Sequence, residues 1–236
     1  MSVRTAIDRF TFRGAVSPPA VASRQGVWCQ KITAAAGSPT VAAVSGGAMA
    51  LALDNTSEVQ NLCLYMGDIL PYDIDDLIRV EFLAKISASL DASVTAVMGV
   101  ASARNDDPDA IVDAALFKLA GSNTLVIETD DGTNEVNDGS ADGFTLAATY
   151  KRLAIDFATG IKSQSAPSLS AGGKADIQFF AGNSNGSLRR IGKNTAHSMA
   201  AYAGDLQLIA QIQKTAGTAV GTLSLLEATV EYKLPA

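Results

Sequence analysis

Histidine, cysteine and tryptophan are nearly absent from this sequence, whose 236 residues include one His, two Cys and one Trp. Catalysis by a serine, cysteine or threonine nucleophile needs a neighbouring base, which is most often an imidazole. His197 is the only imidazole, it lies in a loop-like segment, and no Gly-x-Ser-x-Gly motif occurs in the chain. We therefore expect a surface or hydrogen-bonded histidine and no catalytic residues.

The cysteines and the histidine are also too few for a structural zinc site, which needs four ligands in paired spacing. Cys29 and Cys63 lie far apart in separate apolar segments. We predict buried reduced thiols, with a disulfide between them as the alternative. No metal ion or other cofactor is expected.

Long apolar runs are missing as well. No segment reaches the roughly 18 consecutive apolar residues of a membrane-spanning helix. The N-terminal stretch lacks the apolar centre of a signal peptide. We expect a protein that is made and kept in solution and has no membrane partner.

Charge is sparse, at 18% of residues, and unevenly placed within a net charge of −6. Residues 1–31 contain five basic residues and one acidic residue, so they carry 5 − 1 = +4, and the remainder carries −6 − 4 = −10. We predict an extended N-terminal arm over residues 1–26 that docks on an acidic surface of its own chain or of a neighbour; solvated arginines are the alternative. The candidate partner-binding residues of the arm are Arg4, Arg9, Phe10, Phe12, Arg13 and Arg24. An acidic body makes nucleic acid a poor partner.

The remaining sequence, residues 27–236, is dominated by strand patterns. In Ile78–Ser87 the even positions are apolar and predict a core-facing side, whereas Arg79, Glu81 and Lys85 predict a solvent-facing side. About a dozen such segments are separated by turn signals, and no linker divides them. This pattern predicts a single all-β domain, an antiparallel sandwich or jelly roll. Residues 133–143 are predicted to be a polar loop, and residues 110–119 fit either a helical turn or a strand.

Clustered acidic residues could indicate a glycosidase or a calcium site. The clusters at residues 73–76, 106–109 and 130–131 also fit turns, because Asp side chains accept hydrogen bonds from nearby backbone amides. We identify no strand that carries paired glutamates, and the residues around Asp130 do not match a calcium loop. The expectation is a protein without enzymatic activity or bound metal. The tyrosines are scattered, so a sugar-binding surface is a lesser alternative.

The order of several segments resembles the concanavalin-like (laminin-G-like) jelly rolls of bacteriophage virion proteins. The segments are IRVEFLAKIS, VTAVMGVAS, YKRLAIDFATG, DIQFFAGNSNGSLRRI, LQLIAQIQKT and LSLLEATVEYKL. Ile155-Asp156-Phe157 and Asp176–Gly182 match the family's central strand and the tight turn that follows it. The resemblance covers about residues 75–234, and it departs from the enzymes and the calcium lectins of this fold because their strand glutamates and metal loop are not identified.

The resemblance implies a structural virion component, in particular a capsid decoration (cement) protein. Its partners would be the major capsid protein or other virion proteins, reached through its surface and N-terminal arm, and its assembly would be a homo-oligomer, with a trimer favoured. It would be synthesised in the host cytoplasm and located in the virion. The alternative is a receptor- or carbohydrate-binding module of a tail or head fibre.

Overall fold

The computed structural model describes residues 4–12, 18, 27–87, 89–157 and 173–234. Within these residues the chain forms sixteen strands and one 3₁₀ turn, Pro108–Ala110. The strands belong to two antiparallel sheets, so the predicted all-β sandwich is confirmed. None of the described residues form a helix long and apolar enough to cross a membrane.

Sheet A has eight strands. In spatial order they are β14 (Arg189–Ile191), β13 (Gln178–Asn183), β12 (Lys151–Asp156), β7 (Leu77–Ile86), β16 (Thr222–Lys233), β4 (Ala48–Ala52) and β3 (Thr40–Val44), and β1 (Thr5–Thr11) also pairs with β16.

Sheet B also has eight strands. In spatial order they are β11 (Glu135–Thr145), β10 (Thr124–Asp130), β9 (Ala114–Ala120), β8 (Val94–Ala101), β15 (Asp205–Lys214), β5 (Gln60–Tyr65) and β2 (Cys29–Thr33), and β6 (Tyr72–Asp73) also pairs with β15.

Strand β7 shows how the sequence pattern produces the two layers. Val80, Phe82 and Ala84 are fully buried in the core between the sheets, while Glu81 and Lys85 point away from it and are partly exposed. Alternation of this kind is what a strand with one core-facing side requires. The predicted solvent exposure of Arg79 is wrong, because this side chain is only 1% exposed and forms the ion pairs described below.

The predicted polar loop at residues 133–143 is wrong, because these residues belong mostly to β11. Their Asp and Gly residues were interpreted as turn formers. In the structure Asp138, Asp142 and Gly143 adopt positive φ, and the pairing of β11 with β10 shifts register twice. These residues therefore form irregularities within an edge strand, a position where bulges are common. At residues 110–119 the structure contains the end of the 3₁₀ turn and then β9.

The cysteines are buried and free, as predicted. Cys63 lies opposite Lys31 in the pairing of β2 with β5, while Cys29 lies opposite Tyr65. Burial raises the pKa of the Cys63 thiol well above its usual value, so the thiol is protonated and unreactive.

The N-terminal stretch contributes a strand to sheet A. β1 pairs along seven residues with the C-terminal half of β16. Phe12, just after β1, is 3% exposed and belongs to the main core, and its ring centroid lies 5.5 Å from that of Trp28. The predicted boundary between arm and body at residue 26 lies outside the described residues.

Candidate functional site

The outer face of sheet A, directed away from the core, carries a row of charged side chains. The strands β1, β16, β7 and β12 lie side by side, and their register places Arg9, Thr229, Glu81 and Ala154 in one line across the sheet. The adjacent line contains Glu227, Leu83 and Arg152. Residues from four separate parts of the sequence thus meet on one surface.

These charged side chains form a network of ion pairs. Glu81 accepts hydrogen bonds at Oε2 from Arg79 Nε (3.3 Å) and Nη2 (3.0 Å). At Oε1 it accepts from Arg152 Nε at 2.9 Å and from Arg152 Nη2. Arg9 Nη2 donates to Glu227 Oε2 at 2.7 Å. The planar groups are thereby held in fixed orientations.

A groove follows this network, and we call it the sheet A groove. One part of it has a volume of about 210 Å³ and an adjoining part has a volume of about 350 Å³. Its lining residues are Arg9, Thr11, Glu81, Leu83, Arg152, Ser184, Leu226, Glu227 and Thr229. The exposed fraction of its four charged side chains ranges from 15% for Glu81 to 65% for Arg9, so a ligand in the groove can reach them.

Buried charges lie beside the groove. Arg79 is flanked on neighbouring strands by Asp156 and Glu231, and the three are at most 2% exposed. A cavity of about 30 Å³, lined by Arg79, Glu81, Thr229 and Glu231, adjoins the groove and is large enough for one hydroxyl group or water molecule.

Asp156 is the least satisfied member of this group. Its Oδ2 lies 3.7 Å from Arg79 Nη1, and within the described residues neither carboxylate oxygen has a hydrogen-bond partner. Burial raises the pKa of Asp156 to about 6, although the nearby Arg79 charge acts in the opposite direction. Because this pKa exceeds its ordinary value, the stability that depends on protonated Asp156 is lost as the pH rises through about 6.

Sequence reasoning missed two acidic residues of this region. The expectation that no strand carries paired glutamates is wrong, because β16 contains Glu227-Ala228-Thr229-Val230-Glu231. The Glu-x-x-x-Glu spacing was the available signal. In the structure Glu227 lines the groove, whereas Glu231 is buried beside Arg79.

The other acidic clusters serve mainly as turns, as predicted. Asp73 accepts from the Asp75 amide, Asp107 from the Asp109 amide, and Asp131 from the amides of Thr133 and Ala201. Burial acts to raise the pKa of Asp131, but the hydrogen bonds that its carboxylate accepts together outweigh burial and lower this pKa to about 2. No group of three or more metal-binding side chains with suitable geometry occurs within the described residues.

His197 is buried. It is 2% exposed, its Nδ1 lies 3.5 Å from Thr129 Oγ1, and its ring contacts Phe179. Burial is the main cause that lowers the pKa of His197 to about 4, so the ring is neutral at pH 7. The structure thus places the only imidazole away from the sheet A groove.

The predicted arm residues are distributed as follows. Arg9 pairs with Glu227, Phe10 and Phe12 pack against Trp28, and the carbonyl of Arg4 accepts from the amide of Leu234. Arg13 and Arg24 lie outside the described residues. The observed contacts are made within one chain, and binding of a partner by these residues stays a prediction.

A second charge cluster lies on the outer face of sheet B. Lys118 on β9 is 5% exposed, and its Nζ contacts Asp109 at 2.7 Å, Glu128 at 3.0 Å and Asp138 at 3.0 Å. Glu128 is also buried, and burial raises the pKa of its carboxyl group. The ammonium group therefore sits at the centre of three carboxylates.

Comparison with known proteins identifies the fold. No protein-family model matches the chain, and no curated protein matches its sequence. Among solved structures, a protein of unknown function from Shewanella oneidensis MR-1 superposes with a TM-score of 0.64 and 10% identity, covering 99% of this chain and 90% of that protein.

Two further matches are a carbohydrate recognition domain and an enzyme. The Emp47p carbohydrate recognition domain gives a TM-score of 0.53 at 10% identity and covers 92% of this chain and 94% of that domain. A β-glucanase from Bacillus licheniformis gives 0.52 at 13% identity and covers 90% of this chain and 94% of the enzyme. The chain therefore has the concanavalin-like β-sandwich fold of lectins and glucanases.

Proposed function

We propose that this protein is a non-catalytic carbohydrate-binding module whose ligand lies in the sheet A groove. The observation that carries the proposal is the groove itself, with Glu81, Arg152, Arg9 and Glu227 on its walls. Concave sites with a few oriented polar groups are the usual places where proteins bind small ligands. The likeness in fold to a carbohydrate recognition domain supports this choice of ligand.

The chemistry of the walls suits hydroxyl groups. Sugar hydroxyls both donate and accept hydrogen bonds, and the groove presents carboxylate acceptors directly beside guanidinium donors. Thr229 and Ser184 add hydroxyl groups. The cavity next to Arg79 accommodates a single hydroxyl, which offers a way to select among sugars.

The ion pairs of the two groove glutamates argue for binding rather than hydrolysis. A glycosidase needs one carboxylic acid that protonates the leaving group and a second carboxylate that attacks or activates water. In the groove, Glu81 is bound by two arginines and Glu227 by a third. Asp156, the carboxyl group with the raised pKa, is fully buried.

A glycan array tests this proposal. We expect selective, saturable binding by the wild type and at least about a tenfold loss of affinity for Arg152→Met, since arginine contacts often dominate binding energy. Arg104→Met is the matched control, because Arg104 is similarly exposed and ion-paired but contacts Asp106 and Tyr65, away from the groove. An array without hits, or equal losses in both variants, contradicts the proposal.

A structural role in a virion is the second candidate, as the sequence resemblance implies. The observation that favours it is an apolar depression of about 220 Å³ lined by Val27, Met66, Ile69 and Pro71, in which Val27 and Ile69 are at least 50% exposed. Exposed apolar patches are typical of protein interfaces. Antibody labelling of virions from the source culture should mark the capsid if the chain is a decoration protein, and absence of label contradicts that role.

A further inference from the structure

The strand β3 forms one edge of sheet A, and it differs from the other sheet edges. Its five residues, Thr40–Val44, carry no charge, and its pairing with β4 runs without a register shift. Among the described strands, β3 pairs with β4 alone. Val44 is 43% exposed. Natural proteins usually protect open edges with charges, bulges or short strands, and β3 has neither charge nor bulge.

Charges on the edge strands β1, β2, β11 and β14 disfavour self-pairing there. If a strand pairs antiparallel with its own copy about its central residue, that residue lies opposite itself. In β1 this places Asp8 opposite Asp8, in β2 Lys31 opposite Lys31, and in β14 Arg190 opposite Arg190. In β11 it places Asp138 opposite Asp142. Like charges directly opposite each other are destabilising.

Self-pairing of β3 has no such conflict. Centred on Ala42, it places Ala42 opposite Ala42, Val41 opposite Ala43, and Thr40 opposite Val44. Ala42 is half-buried on the outer face, so the small side chains can approach across the axis. Ile32 lies on β2, a strand of sheet B that contacts β3. It is 42% exposed and adds apolar surface near this edge.

We propose that two copies of this chain associate through antiparallel pairing of β3 with β3. The two-fold axis is perpendicular to the sheet and passes midway between the two Ala42 residues, and the two eight-stranded A sheets become one continuous sheet. Two-fold symmetry requires a single self-complementary surface, which is the commonest form of protein association. This symmetry differs from the predicted trimer.

The dimer also affects glycan binding, a consequence that rests on the proposed function. A two-fold axis perpendicular to the sheet leaves both outer faces pointing in the same direction, so the two sheet A grooves open towards the same side. A surface that displays many copies of one glycan could then occupy both grooves, which raises the apparent affinity without new contacts. The dimer itself does not depend on what the groove binds.

Analytical ultracentrifugation of the full chain at concentrations up to about 100 μM tests the dimer, since a short strand pairing is expected to give a dissociation constant on the order of micromolar. The wild type should sediment with twice the monomer mass. Ala42→Lys and Ala42→Glu should each be monomeric, because like charges then face each other across the axis. An equimolar mixture of the two variants should restore the dimer.

Thr40→Lys is the matched control, because in the proposed register residue 40 lies opposite Val44 and the dimer should persist. Circular dichroism establishes that the variants are folded. A monomeric wild type, an oligomer that survives Ala42→Lys, or a mixture that stays monomeric would each overturn the proposal. Because sedimentation needs no glycan, failure of the dimer is distinguishable from failure of the proposed function.

Discussion

Lys118→Met should lower the free energy of unfolding by about 3–5 kcal/mol at pH 8, because it leaves a buried carboxylate without its counterion. Lys118 and Glu128 are both about 95% buried, and two further carboxylates, Asp109 and Asp138, contact the same ammonium group. Loss of the lysine therefore removes three attractions and leaves three negative charges close together. Chemical denaturation of the wild type and the variant measures the difference.

The pH dependence of Lys118→Met provides a second readout. The pKa of Glu128 is already raised by burial, and loss of the lysine raises it further. A carboxyl group whose pKa is raised in the folded state contributes stability at low pH and loses it as the pH rises through that pKa. The defect of Lys118→Met should therefore shrink as the pH falls from 8 to about 5.

The double variant Lys118→Met/Glu128→Leu separates the cost of an unpaired carboxylate from the cost of losing the packing of the lysine side chain. Replacing both members of a buried ion pair with apolar residues is often neutral. The double variant should therefore regain most of the lost stability. If it is as unstable as the single variant, the cause is packing of the lysine stem rather than an unpaired charge, and the electrostatic explanation is wrong.

Phe12→Ala should also lower the free energy of unfolding by about 3–5 kcal/mol, the usual cost of removing a buried phenylalanine ring. Phe12 is 3% exposed and packs with Trp28 in the main core. Phe10 also contacts Trp28 but is only partly buried, so Phe10→Ala should cost clearly less. Denaturant unfolding of both variants makes the comparison.

The exposed neighbour Thr11 supplies the control, since Thr11→Ala should change stability by less than about 0.5 kcal/mol. This series distinguishes an N-terminal strand that belongs to the sandwich from an arm that can detach. Unchanged stability of Phe12→Ala would show that residues 4–12 are dispensable for the fold and available for a partner. The expected loss would show that Phe12 is fixed in the core, so that a detachable arm could contain only residues after Phe12.

The sequence predicted strands well where alternation is regular and turns flank it. Strand β7 differs from the predicted segment Ile78–Ser87 by only one residue at each end. The strand prediction failed where the residue types favour turns but the chain forms a strand. β11 is rich in Asp and Gly, which favour turns, yet it continues as an edge strand because bulges accommodate its left-handed residues.

The candidate site was harder to predict than the fold. Arg9, Glu81, Arg152 and Glu227 lie far apart in the sequence, and only the register of β1, β16, β7 and β12 brings them together. Strand register across a sheet depends on long-range pairing, which a single sequence does not reveal. The spacing of Glu227 and Glu231 was visible in the sequence but was missed, and in the structure the first glutamate binds Arg9 while the second is buried.

The most direct measurement is titration calorimetry with the best-binding glycan of the array, applied to the wild type, Arg152→Met and Arg104→Met. Ligand recognition by the sheet A groove predicts a saturable isotherm for the wild type and for Arg104→Met, with an affinity at least about tenfold weaker for Arg152→Met. Equal affinities for the wild type and Arg152→Met would place the ligand elsewhere on the molecule and contradict the proposed site.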